Sequence, residues 1–515
     1  MSDVFAFLSP AAVRRDGDYE PLLRTPMERS HIAAGATVEE VDGWRVASYD
    51  ARPGRAWIAD VSPIGKIDIR GTRQRIAELT ANAELGTASL HDDVWTLRLT
   101  ETRAVVVCAN DRVATLSERI GYGATDMTCA WAGVVIVGAG AHGMATAYYL
   151  AKRHGLKRIA VLDKSYMGAG ASGRNTTIVR SNYLTPEGSR FYEASVKLYE
   201  KLSQELNFNM LFSQHGHLTL AHSDRSLNTM MERAEVNRLV GVDSKVVTPD
   251  EVKELCPQLD TSEHPTFPIL GALYHPPGGV IRHDAVVWGY GKEADRLGVE
   301  IHQYTEVTGI DVENGRVTGV QTNRGRIACG TVISCVAGWS TLVCDMVDVP
   351  LPITTHILQA CVTEPVKPLL DKIIVSGTLH IYISQSDRGE FVMGSEIEPY
   401  SGYSTKSTFR FIEDLAMHMI ELLPMLGHAK ILRQWTGLCD VSPDYSPIMG
   451  LTEVEGFVID AGWGTYGFKA SPIVGYTLAD LVGTGTTPDL IHPFRLARFY
   501  EDELVSERGA AAVSH

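Results

Sequence analysis

Hydrophobic and polar positions along this chain recur with readable periods. In Lys66-Ile67-Asp68-Ile69-Arg70 every second residue is apolar, which predicts a half-buried strand after a Pro-Ile-Gly turn at 63–65. Residues 72–83 carry the 3.6-residue spacing of a helix, and 94–107 (VWTLRLTETRAVVV) predict a hairpin turning at Glu101-Thr102. The densest pattern is 134–164. There a β-branched run at 134–137 ends in Gly138-Ala139-Gly140-Ala141-His142-Gly143, a helical segment follows, and a second apolar run at 159–162 closes on Asp163. Strand, glycine turn, helix, strand and acid, in that order, predict a dinucleotide-binding βαβ unit. Gly138 permits the tight turn, Gly140 admits a pyrophosphate close to the backbone, and Gly143 lets helix and strand touch. The helix N-terminus then holds the phosphates, and Asp163 is placed to accept hydrogen bonds from a ribose. A membrane helix over 132–151 is the rival reading of this nearly uncharged run. Four glycines and a histidine in its first twelve residues argue against it.

Further on, 189–206 is amphipathic and helical, with Phe191, Val196, Leu198, Tyr199 and Leu202 as expected core positions. Thr248-Pro249-Asp250-Glu251 is a capping box with proline at the first helical position. Residues 299–340 read as strand, hairpin and strand, with turns at Asn314-Gly315 and Asn323-Arg324-Gly325 and a last apolar strand ending on Ala337-Gly338. Alternation over 379–393 predicts a long hairpin, and 408–423 an amphipathic helix. A strand at 457–460 enters the glycine-rich turn 461–469, and a helix at 473–482 leaves it. A second helix N-terminus aimed inward stabilises negative charge developing on a ligand.

The chain has 515 residues, length for about three domains. With 44% apolar and 21% charged residues its composition is that of a globular protein. A net charge of −15 argues against nucleic acid or anionic membrane as partner. Eight cysteines without a C-x-x-C pair indicate neither a zinc site nor a disulfide framework. Residues 1–18 lack a basic start followed by an apolar core, so no signal peptide is expected and the predicted location is cytoplasmic.

Two resemblances extend this picture. The string IADVSPIGKIDIRG resembles the opening of the aminomethyltransferase (glycine-cleavage T-protein) family, and VWTLRLTETRAVVV fits a later strand pair of it. The module is shorter than that family's full domain, which favours docking over a complete folate site. Residues 134–515 resemble the β subunit of the heterotetrameric sarcosine oxidases, flavoenzymes of the amino-acid-oxidase type, through GRNTTIVRSNYL, LFSQHGHLTLAH, GALYHPPGGVIRHDAVVWGY, GWGTYGFK and ERGAAAVSH. The resemblance implies an α/β plus α+β fold: an FAD-binding Rossmann-like domain interleaved with an antiparallel-sheet substrate domain, behind a small α+β module. The expected segments are 1–130 (the module, similar to the family's γ subunit), 131–214, 276–345 and 437–515 (FAD-binding), and 215–275 and 346–436 (substrate domain).

The resemblance also implies FAD contacts at Gly138, Gly140, Gly143, Asp163, Lys164, Arg174, Thr176, Val307, Gly338, Gly462, Gly464, Thr465 and Lys469. Arg180 aligns with the arginine that binds the substrate carboxylate in monomeric relatives, and Lys469 with its lysine partner. A planar fork and a point charge on one carboxylate fix its orientation. His283 aligns with the histidine that carries covalent FMN; by its own sequence context it is a helix-start histidine paired with Asp284. Monomeric relatives attach FAD through a cysteine where this chain has Gly437, so FAD is expected to be non-covalent and Cys439 an ordinary buried thiol. His142 is expected to be a helix-start polar residue. The implied activity is oxidative demethylation of sarcosine or another N-methyl amino acid, with hydride passing to FAD and electrons through FMN to oxygen. The implied partner is an α-like subunit carrying NAD and tetrahydrofolate. Other secondary or tertiary amino acids (dimethylglycine, N-methylproline), or a non-catalytic folate-linked assembly role, are the alternatives.

Overall fold

A computed structural model describes residues 133–510, and before them nine strands and one helix. The expected 63–64 turn, the leader reading at 1–18 and the last five residues lie outside the described residues.

The chain divides into two compact units: residues 1–133 with 318–329, and the remainder. In the first, strands Ala88–His91, Val94–Thr100, Arg103–Cys108, Gly65–Arg70 and Ala124–Asp126 form an antiparallel sheet in that order. Val94–Thr100 and Arg103–Cys108 pair as the two arms of the expected hairpin, while its turn at 101–102 lies outside the described residues. Ala104, Val106 and Ile76 are buried, Ile76 on the helix Arg73–Leu79, and the rest of the expected 72–83 helix lies outside the described residues.

The second unit is built on a six-stranded sheet. Its order is Glu300–His302, Ile159–Leu162, Val134–Val137, Thr331–Ser334, Phe457–Ala461 and Ile448–Leu451; the last strand is antiparallel and the others parallel. Val134–Val137 is buried at every position, as a strand covered on both faces must be. The residues of the rival membrane run are thus a strand and the helix Ala141–His154, and no helix among the described residues is long and apolar enough to cross a membrane. That helix packs on Ser471–Thr484 so closely that a Cβ on Gly475 would lie 2.5 Å from Ala145 Cβ.

An eight-stranded sheet runs Lys245–Val247, Gly271–His275, His217–Ala221, Ile373–Ser376, Ile381–Gln385, Phe391–Ser395, Thr354–Thr363 and Ile431–Val441. All its pairs are antiparallel except His217–Ala221 with Ile373–Ser376. Phe411, Leu415, Met419 and Leu422 of helix Phe409–Leu422 bury one face of that helix on its core. Helix Pro186–Glu205 buries Phe191, Val196, Tyr199 and Leu202, while Leu198 is only half-buried, a correction to the expected core. Thr248 and Glu251 form the expected reciprocal cap.

Near the C-terminus Arg498 and Asp444 meet as a two-pronged ion pair, Nε–Oδ2 and Nη2–Oδ1 both 2.8 Å, with side chains 0% and 1% exposed. Arg498→Met leaves the carboxylate buried and unpaired, so it is expected to cost about 3–5 kcal/mol, read as a lower denaturation midpoint in urea.

Candidate functional site

The parallel strands end at one rim, and there the glycine turn opens a cavity of about 460 Å³ lined by both sheets. Gly138 has φ +106, and a Cβ there would sit 2.3 Å from Cys335 O; a Cβ on Gly143 would sit 1.9 Å from Gly138 O. Gly140 caps the helix without a side chain, leaving its first turn open toward the cavity. Ser172 Oγ accepts the Ala141 N–H at 2.8 Å. Asp163 lines the cavity but already accepts two backbone N–H groups, Ala139 to Oδ2 and Ser165 to Oδ1, each at 2.8 Å. Burial raises its carboxyl above the usual range, against the pull of those bonds.

Lys164, Arg174, Thr176, Val307, Gly338, Gly464 and Thr465 line the same cavity. Lys164 Nζ stands 3.3 Å over the Trp339 ring, and Arg174 O accepts from Trp435 Nε1 at 2.7 Å. Thr465 Oγ1 is buried without a hydrogen-bond partner. A buried hydroxyl left unpaired in a cavity wall is free to donate to or accept from a group in the cavity. Gly143 and Gly462 lie beneath the lining: the first packs on Gly138, and Gly462, at φ +73, donates to Asp440 Oδ2 at 2.6 Å. Burial pushes the Asp440 carboxyl up to about 7.

Arg180 and Lys469 are brought together, from 289 residues apart in sequence, on one wall. Arg180 is 3% exposed; Nη1 donates to Asn182 O and Oδ1, each at 3.0 Å, and Nη2 to Ala510 O at 2.7 Å. Its fork is thus held from behind, by its own loop and the C-terminal segment. Lys469 is buried, and Nζ makes no hydrogen bond among the described residues, its nearest aromatic contact being Tyr466 at 5.6 Å. Burial, and then the charge of Arg180, hold this ammonium well below the ordinary lysine range. A desolvated cation beside a second cation is a site for an anionic group.

His283 is not part of this wall. It is the first residue of helix His283–Arg296, half-buried, with its imidazole lowered by burial. Asp284 pairs with Arg282, Nε–Oδ1 3.0 Å, and its Oδ1 accepts the Ala285 N–H, which corrects the expected histidine–aspartate pairing. Arginine offers a charge-bearing fork two residues away, which the histidine ring cannot match.

One cavity residue went unread in the sequence, and another was read only in part. His217 is buried in strand His217–Ala221, faces the cavity, and its Nδ1 has no partner; burial and Arg180 keep it well below its ordinary value. The polar residue at the head of a fully buried strand was the available signal. His142 starts the cradle helix as expected, but its ring reaches Asp460 and Gly467, each at 2.8 Å. Gly437 and Cys439 both line the cavity; burial pushes the Cys439 thiol up to about 12, so it is a protonated, unreactive thiol. Among the described residues no cluster of His, Cys, Asp and Glu fits a metal, and six cysteines are free and buried.

The family described as FAD dependent oxidoreductase matches residues 133–481. Sarcosine oxidase subunit beta of Rhodobacter capsulatus is 44% identical over 382 residues, spanning 74% of this chain and 92% of that one. The protein of the same name from an Arthrobacter species is 43% identical, with 74% and 94% spanned. Among solved structures, L-proline dehydrogenase from P. horikoshii superposes with a TM-score of 0.69 at 30% identity, over 73% of this chain and all of that one.

Proposed function

Because this chain belongs to the FAD dependent oxidoreductase family, and within it to the sarcosine oxidase β subunits, we propose that it oxidises the N-methyl carbon of sarcosine. FAD, when bound, supplies the hydride acceptor. The residues present fit it: a glycine cradle no side chain can enter, a helix N-terminus whose cap residue Gly140 has no side chain, Lys164 and Arg174 on the cavity wall, and the orphaned Thr465 hydroxyl. Gly437 offers no thiol, and FAD is held without a covalent bond.

The observation that carries this reading is the buried, unbonded Lys469 ammonium beside Arg180 in the wall of that cavity. The two cations hold the substrate carboxylate and so fix which carbon faces the acceptor. The products are glycine, a formaldehyde-level one-carbon unit and hydrogen peroxide. His283, whose imidazole burial holds below its ordinary value, would be the residue that holds FMN, and FMN when bound would supply a path for electrons to oxygen. The flavin-binding segments are 131–214, 276–345 and 437–515, and the substrate segments 215–275 and 346–436. Residues 1–130 act as a γ-like docking module for an α-like subunit bearing NAD and tetrahydrofolate, in the cytoplasm.

Sarcosine added without oxygen should bleach the flavin, and with oxygen release formaldehyde. Mass spectrometry of the acid-denatured protein should find flavin mass on the His283 peptide. No bleaching by sarcosine sinks the substrate assignment, and full release of flavin into the acid supernatant sinks the covalent one. The likeness to L-proline dehydrogenase favours a cyclic secondary amino acid as the second reading, and proline and N-methylproline belong in the same substrate panel.

A further inference from the structure

The reaction above gives His142 no task, yet few ionisable groups on the cavity wall are so constrained. Its Nε2 lies 2.8 Å from Gly467 O, and a carbonyl can only accept, so Nε2 carries a proton. Its Nδ1 lies 2.8 Å from Asp460 Oδ2. One proton must occupy that second contact, and it sits either on the ring or on the carboxyl. Asp460 Oδ1 takes the Trp463 Nε1–H at 2.7 Å, and the Cys335 thiol also bonds this carboxylate, so its surroundings are those of an anion. Both oxygens of Asp460 are thus engaged as acceptors, the arrangement of a carboxylate, which leaves the proton on the ring. Burial alone would strip it; the Asp460 charge and bond outweigh that, and the imidazole is raised above its ordinary value. The other titratable group acting on the ring is Asp440, which adds to the same direction. The Trp463 ring closes the remaining side, edge-on at 4.7 Å.

We propose that His142 is a doubly protonated positioning residue. It ties the N-terminus of the cradle helix to the turn carrying Thr465 and Lys469, and it cancels the Asp460 charge so that the cavity stays electropositive toward an anionic ligand and a reduced flavin. The inference rests on the FAD reading for its second half. The tie itself is a property of this chain: residue 142 lies on the helix, 460 on strand Phe457–Ala461 and 467 in the turn after that strand, and one ring bridges them.

His142→Gln can keep one of the two hydrogen bonds but leaves Asp460 as an uncompensated buried anion. Sulfite adds to an oxidised flavin in proportion to the site's tolerance of negative charge. The affinity of the purified holoprotein for sulfite, read as bleaching of the flavin band, is expected to fall at least about tenfold in His142→Gln. In His142→Gln/Asp460→Asn both charges are gone, and the affinity should return to within about threefold of the parent. Sulfite binding unchanged in the single variant, or a double variant no better than the single, overturns the proposal. A second measurement survives poor folding of the glutamine variant: the 13Cε1-histidine spectrum of the unaltered protein and of Asp460→Asn. The His142 signal should titrate above the ordinary histidine value in the parent and at or below it in Asp460→Asn. A parent signal that titrates at or below that value overturns the proposal. A protein that never takes up FAD fails the flavin reading instead, since the histidine spectrum reads the chain alone.

Discussion

Gly143→Ala is expected to purify colourless. A Cβ at this position would lie 1.9 Å from Gly138 O and 3.2 Å from Ile136 Cγ2, and the first of these is backbone in the tightest part of the turn. Nothing flexible can move aside, so either the helix lifts off Val134–Val137 or the turn opens. Overpacking of this kind costs about 1–3 kcal/mol or more in stability. The loss to binding is larger, because the same movement displaces the helix N-terminus from the phosphates. The measurement is the ratio of flavin to protein absorbance after gel filtration with added FAD. Gly330→Ala is the matched control: a Cβ there meets nothing within 4 Å, and flavin content should be unchanged. A yellow Gly143→Ala protein with a normal ratio would refute the assignment of this turn as the pyrophosphate cradle.

Lys469→Met is expected to do the opposite, retaining flavin and losing substrate. Ser195 Oγ holds Lys469 O at 2.7 Å and Tyr199 OH holds Phe468 O at 2.7 Å, so the turn keeps its path without the ammonium. Methionine fills the volume, and removing a buried cation without a hydrogen bond leaves thermal stability equal or higher. The rate of flavin reduction at limiting sarcosine should drop by about a hundredfold to a thousandfold, the worth of a charge-assisted hydrogen bond plus the Coulomb energy at a desolvated site. The pH dependence has a definite sign. Burial and Arg180 lower the folded pKa of Lys469, and a bound carboxylate raises it again, so binding takes up a proton. Apparent affinity is therefore full below the lowered pKa and declines as pH rises through it, and Lys469→Met abolishes that decline. Stopped-flow reduction across a pH series checks both points; an unchanged rate in the variant removes Lys469 from the carboxylate site.

What could be read in advance was what is encoded within a few residues. The glycine turn at 138–143, the Thr248 capping box and the hairpin at 381–395 each depend on neighbours in sequence, and each stands where its pattern put it. Side-chain partners were a different matter. Asp284 was assigned to the adjacent histidine, but Arg282 reaches it with two nitrogens. Leu198 has a core residue's chemistry and faces the half-buried flank of its helix, because Val196, Tyr199 and Leu202 occupy the stripe. His142 is 318 positions from Asp460 and 325 from Gly467, and no periodicity carries information over that span. His217 is the polar head of an alternating stretch, which marks its place but not its role; that comes from Arg180 and Lys469, which approach it only in the folded chain. Arg180 and Lys469 themselves were reached through resemblance, not through any local signal.

The close contact of Gly475 with Ala145 has a bearing on how the protein is made. The cradle helix leaves the ribosome early, but Phe457–Ala461 and the helix that seals it follow roughly 320 residues later, on the order of tens of seconds at about 5–20 residues per second. Until then Ala145 and its neighbours present an apolar face with no cover, and pairing across so long a loop is slow. A nascent chain arrested before residue 457 should therefore be held by chaperones and take up no FAD, although it already contains the whole glycine motif.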